Sequence, residues 1–238
     1  MTASADPAGL VISASTLALV LTRRFGLLLT ITAASCYAPL VLAQTGEATC
    51  GNPFKSWFGP YDYRTAPKGA LENVETHHFT PQVEQMIRGV TTGVTDMGKD
   101  VAYVLGVFPN HHRALITMMR LGEKDRNDQP RGAGLPIECW FDRAVRYARD
   151  DTVARLLYAM WLRKKGRIED SLAQTRAAEG FAVKDNPFTH YNIGMSYFEL
   201  GQYDQAAAAA LRARDLGLDR PELIDRLKGV NKWVEPQQ

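Results

Sequence analysis

The sequence predicts an all-α protein whose C-terminal half is a stack of helical hairpins, and three observations predict it. Gly166-Arg-Ile168 and Gly201-Gln-Tyr203 lie 35 residues apart, each between two amphipathic stretches, and a period of this length marks a stacked helical array. From Thr80 onward apolar residues recur at steps of three and four, the spacing of helices with one buried face. Before that point the chain is punctuated by Gly51, Pro53, Gly59, Pro60, Pro67 and Gly69, which disfavour long helices over most of that stretch.

With 238 residues, 45% of them hydrophobic and 23% charged, the chain has ordinary globular composition and enough length for one well-buried core or two small domains. Its 28 Lys and Arg are nearly balanced by 26 Asp and Glu, so no field singles out nucleic acid or an anionic membrane as the main partner.

At the N-terminus, Arg23-Arg24 precedes an apolar stretch from Phe25 to Ala43 that ends in small residues, the order of a secretory signal peptide. Val41 and Ala43 occupy the −3 and −1 positions, so residues 1–43 are expected to be removed and the mature chain to begin near Gln44. Residues 1–22 are superfluous to export, which suggests a start downstream of Met1, with Val20 a conceivable one. The alternatives are an uncleaved anchor, since the apolar run is nearly long enough to span a bilayer, and a lipoprotein modified at Cys36, which lacks a leucine at position 33. Cleavage leaves Cys50 and Cys139, an even pair bound for an oxidising compartment, and a disulfide is expected; two unpaired thiols are the alternative.

Residues 44–80 read as an extended arm carrying Phe54, Trp57, Phe58, Tyr61 and Tyr63. So many aromatics imply burial against the helical body, or a contact surface. Residues 81–236 read as the helical domain. Thr80-Pro81 caps a helix through Val83, Met86, Ile87 and Val90. A second spans Asp100 to Val107. Asn110 caps a third through His111 to Met119, and Gly122 to Leu135 reads as a mobile insertion. Ile137, Trp140, Phe141, Ala144, Val145 and Ala148 form the stripe of a packed helix. Repeat units follow at 152–185 and 187–220, with atypical ones at 81–108 and 109–150. Leu223, Ile224, Leu227, Val230 and Trp233 mark a capping helix over 221–235 that covers the last apolar face.

The last unit resembles the tetratricopeptide repeat family. Ile193 and Gly194 fall on the motif's Leu-Gly pair, Tyr197 on its first-helix aromatic, Gly201 and Tyr203 on its turn, and Ala206, Ala210 and Ala213 on the small residues of its second helix. Leu218 stands where the family usually has proline. The preceding unit matches less well, with Ser171 and Thr175 as departures. The blocks from Gly59 to Arg64 and from Phe108 to Leu115 are similar to segments of exported proteobacterial members. The resemblance implies a short right-handed α-α superhelix whose first helices line a concave groove for extended peptides. With Val153, Leu157, Phe188 and Glu199 also on the groove, it assigns Leu156, Met160, Arg163, Lys164, Tyr191, Asn192, Met195 and Phe198 to partner binding, with Asn192 bonding either a peptide backbone or its own neighbours; the alternative is that the aromatic arm folds back and fills the groove.

No nucleophile elbow, phosphate loop, dinucleotide fingerprint, HExxH or haem motif occurs, and the chain is read as a non-catalytic adaptor without a cofactor. Its partner would be another envelope protein or a peptide segment. The alternative chemistry is a metal or haem site made by His77, His78, His111 and His112, with His190 as a fifth candidate. Adjacent histidines on a helix point about 100° apart, so two pairs would have to converge; otherwise they cap helices and pack. A third reading is a structural subunit that stacks on its own copies.

Overall fold

The Gly-Pro clusters, the caps and the 35-residue period all act locally, and in the computed structural model they divide the chain into ten helices among the described residues, with no strand. The described residues are 50–56, 58–86 and 96–235, and they belong to one unit. The signal-peptide, anchor and lipoprotein readings, Cys36, Trp57, Ile87 and Val90 lie outside them.

The described residues between 51 and 66 run as an irregular strap over the helical body. Cys50 is bridged to Cys139 with a Cα separation of 4.9 Å, as the cysteine count led us to expect. Phe58, Tyr61 and Tyr63 pack against the main core, whereas Phe54 remains 58% exposed, its ring 5.4 Å from that of Tyr147. The expected arm is not irregular throughout. An eleven-residue helix, α1 (Lys68–His78), follows Pro67. The breakers end at Gly69, within the first turn, and beyond them Leu71 and Val74 fall on one face that the core covers.

The helix capped by Thr80, α2 (Pro81–Glu84), is shorter than expected because Met86 takes a positive φ of 56°, a left-handed conformation that cannot continue a helix. Next, α3 (Met97–Val107) begins before Asp100, since Asp96 caps it by accepting from the Lys99 N–H. Gly98 is indispensable there: a Cβ would lie 2.0 Å from the Arg131 carbonyl oxygen.

The cap of α4 (His112–Asp125) is His111, not Asn110, and the helix runs past Met119 to Asp125. The expected mobile insertion is therefore partly helix, and its remainder folds back: Ala133 is fully buried, and the Ile137 N–H donates to the Asp128 carbonyl at 2.8 Å. That bond leads into α5 (Ile137–Tyr147), which carries Cys139.

Two hairpins follow, α6 (Thr152–Lys164) with α7 (Ile168–Gly180), and α8 (Pro187–Glu199) with α9 (Tyr203–Asp215). Their turns are built alike. Gly166 and Gly201 take φ of 74° and 71°, and the following N–H groups, of Arg167 and Gln202, donate back to Leu162 and Tyr197 at 3.0 and 2.9 Å. These pairs are the helix-terminating bonds that a left-handed glycine permits. Gly194 lets α8 approach α9: a Cβ there would lie 3.2 Å from Ala209 Cβ and 2.6 Å from Leu223 Cδ2. The last helix, α10 (Glu222–Gly229), buries Leu223 and Leu227 fully. It stops short of the expected end because Asn231 turns to a φ of 56°. Val230 is consequently 39% exposed, while Trp233 returns to the core as non-helical chain.

Apolar residues collect in two clusters, one spanning the strap and α1 to α6, the other α7 to α10. The sixth helix serves both, with Tyr158, Trp161 and Leu162 in the first cluster and Leu156 packed against the second. No helix among the described residues is long and apolar enough to cross a membrane.

Candidate functional site

Because α6 faces one core with one side and the C-terminal hairpin with another, its remaining face borders a cleft. Val153, Leu156, Leu157, Met160 and Arg163 recur at helical spacing along this wall. The facing wall is α8, with Asn192, Met195, Ser196 and Glu199, and the enclosed space is about 430 Å³. Small residues make the floor. The Ser171 hydroxyl donates to the Ala159 carbonyl at 2.7 Å, and Thr175 and Ser196 share a hydroxyl contact of 2.8 Å, so these polar groups are satisfied internally. At one end Arg163 lies 3.5 Å from Glu199, whose carboxylate also takes Arg226 of α10. The arrangement offers apolar contacts, one exposed amide and an ion-pair network, which is the chemistry of binding an amphipathic segment.

Five of the eight residues assigned to partner binding, Leu156, Met160, Arg163, Asn192 and Met195, line this cleft. The other three do not. Lys164, one step around the helix from Arg163, pairs with Glu123 of α4 on another surface. Tyr191 lies beneath the Arg220 guanidinium, 5.8 Å away, and Phe198 packs against Tyr203 and the Arg226 guanidinium, 5.4 and 4.3 Å away. Both face what α10 and its approach supply, and the placement of that helix overrides the register inferred from the repeat. Ser171, Ser196 and Ala159 were missed as lining. The signal available was their small size opposite larger neighbours. Phe58, Tyr61, Tyr63 and Ala66 of the strap lie against the first cluster, and no described strap residue lines the cleft.

A larger hollow of about 590 Å³ lies beside Met119 and Trp161, but the pairs Lys164–Glu123 and Lys165–Asp128 span it, and these four charged groups are spent on one another.

The histidines do not converge. His77 is exposed, His78 pairs with Asp100 at 3.1 Å, and His190 contacts the Lys184 carbonyl at 3.0 Å. His111 is fully buried: its Nδ1 accepts from the Ala114 N–H at 3.1 Å, so Nε2 carries the proton and donates to Glu75 at 3.0 Å. Burial first, then the charges of Arg113 and His112, push its pKa down to about 3. His112 is bonded to Asp151 at 2.8 Å. Among the described residues no group of three or more His, Cys, Asp or Glu could hold a metal ion; His111 instead caps α4, and the His111 and His112 rings pack on Tyr63 and help fasten the strap.

That fastening joins the two sequence blocks singled out above. Asn110, fully buried, accepts from the Tyr63 N–H at 2.9 Å and donates to Asp62 at 2.8 Å and Asp151 at 2.7 Å. Arg64 bonds Asp62 and Asp150. Burial alone would raise Asp62, but the hydrogen bonds from Arg64 and Asn110 hold its pKa at about 2. Asp151 is likewise held below its ordinary value against burial, by His112, the Ala154 N–H and Asn110. Each buried carboxylate is thus ionised and satisfied.

No family model, curated protein or solved structure matches the chain.

Proposed function

We propose that this protein is an exported, non-catalytic adaptor of the bacterial cell envelope. In this reading α6 to α10 form a short right-handed superhelix of the tetratricopeptide type, and a segment of a partner protein lies extended between α6 and α8. One observation carries the reading: residues assigned from the repeat alone line one continuous, largely apolar cleft that the described part of the strap leaves open. The two turns with equivalent hydrogen bonds support the repeat, and the Cys50–Cys139 bridge suits an oxidising compartment.

The test is the combined substitution Leu156→Lys, Met160→Lys and Asn192→Ala, followed by recovery of the partner from envelope extracts of expressing cells. Asn192 is exposed, and Leu156 and Met160 sit only partly buried at the edges of the two clusters, where a lysine stem can lie on the apolar surface with its charge in solvent; the fold should survive, which an unchanged circular-dichroism spectrum and unfolding midpoint would verify. Recovery is expected to fall by at least about tenfold, the loss of an interface centre. A folded variant that keeps every partner removes the cleft from the account.

A further inference from the structure

We propose that the cleft selects extended protein segments of one pattern, two apolar residues in alternation with an acidic residue at one end; this rests on the adaptor reading. The apolar part comes from the walls. From Val153 to Arg163, α6 advances about 15 Å at 1.5 Å per residue, which matches about four or five residues of extended chain at about 3.3 Å each. An extended chain directs alternate side chains to the same side. Leu156, Met160 and Met195 would therefore receive residues two apart, while the Asn192 amide, exposed on the wall of α8, is placed to bond the backbone between them.

The acidic residue comes from the charge at the cleft's end. Arg163 and Arg226 share the single carboxylate of Glu199, all three side chains being about one-third exposed. Arg163 sits 3.5 Å from Glu199, too far for the paired short bonds that a guanidinium makes to a carboxylate at its best. An incoming carboxylate can take Arg163 while Glu199 keeps Arg226, and the exchange leaves no charge unpaired. A lysine in the same place would be a third cation competing for the one carboxylate of Glu199. The apolar positions are loosely specified, since Met160 and Met195 adapt to many shapes, so the charge carries most of the selectivity.

The experiment is panning of a random octapeptide library on phage against the full chain with its disulfide formed, then anisotropy with fluorescent peptides made from the enriched clones. Enriched clones should share two apolar residues in alternation with an acidic residue beside the pair, on the same side in every clone. Replacing that Glu by Gln should weaken binding by about tenfold, the scale of a charged hydrogen bond, and Glu by Lys should weaken it further. Arg163→Gln should erase the Glu-over-Gln preference and leave the apolar part of the binding. If acidic, neutral and basic peptides bind alike, and Leu156→Lys with Met160→Lys abolishes all of them, the charge selection is overturned and the cleft stands. If nothing enriches, or the enriched peptides ignore the Leu156→Lys and Met160→Lys changes, the cleft reading falls as well.

Discussion

Replacing Cys50 and Cys139 together by serine is expected to lower the unfolding free energy by about 4 to 5 kcal/mol. The bridge spans 89 residues of sequence, and a loop of that size removes about that much entropy from the unfolded chain in the loop-closure description. The folded contacts around it should persist. Arg143 donates to the Cys50 carbonyl at 3.2 Å and Arg146 to the Gly51 carbonyl at 2.8 Å, and the Asn110 network holds the far end of the strap independently. The double variant should therefore fold to the same helix content with a lower urea midpoint, and reduced wild type should match it. A loss below about 1 kcal/mol would mean that the unfolded chain is already compact enough for the cross-link to matter little.

The second large effect is acid sensitivity centred on His111. This ring is neutral in the folded protein because its Nδ1 caps α4 while its Nε2–H meets Glu75, with Arg113 and His112 adjacent. Its folded pKa of about 3 lies below the ordinary 6.5. As pH falls through 6.5 the unfolded chain takes up a proton that the folded one refuses. The stability His111 contributes is thus complete above about pH 6.5 and drains away down to about pH 3, at close to 1.4 kcal/mol per pH unit in between. Asp62 adds a separate loss below about pH 4, as its carboxylate, held at about 2, is protonated first in the unfolded chain. His111→Asn keeps a good capping side chain and leaves nothing to titrate. It should be less stable at pH 7 by about 1 to 2 kcal/mol, for the lost bond to Glu75, but its stability should fall less steeply between pH 6 and pH 4. Urea unfolding at each pH measures both. Parallel slopes for the two proteins would show that His111 does not stay neutral.

What the sequence disclosed and what it concealed follow from the range of each interaction. The turns at Gly166 and Gly201 were legible because a left-handed glycine and its back-bonds involve six neighbouring residues, and the 35-residue period repeats them. The disulfide was legible from the cysteine count, read together with the expectation of export. By contrast, Asn110 draws its meaning from Asp62 and Asp151, 48 and 41 residues away, and no local pattern marks it as a buried junction instead of a cap. Gly98 looks like an ordinary weak point in a helix until the Arg131 carbonyl is placed against it. The site shows the same divide. Leu156, Met160 and Met195 could be assigned through the family resemblance, but Tyr191 and Phe198 were claimed by Arg220 and by Arg226 of α10, a contact between elements that the resemblance does not encode. The terminating turn at Asn231, which frees Trp233 from the expected helix, was hidden for a related reason: asparagine tolerates that conformation without announcing it.

Site-specific photo-crosslinking in expressing cells would show whether a partner segment lies between α6 and α8. A benzophenone amino acid would be placed singly at Met160, at Asn192 and, as a control on the other surface of α6, at Lys164. The same adduct is expected from positions 160 and 192 and none from 164. An adduct from 164 with none from 160 or 192 would contradict that placement.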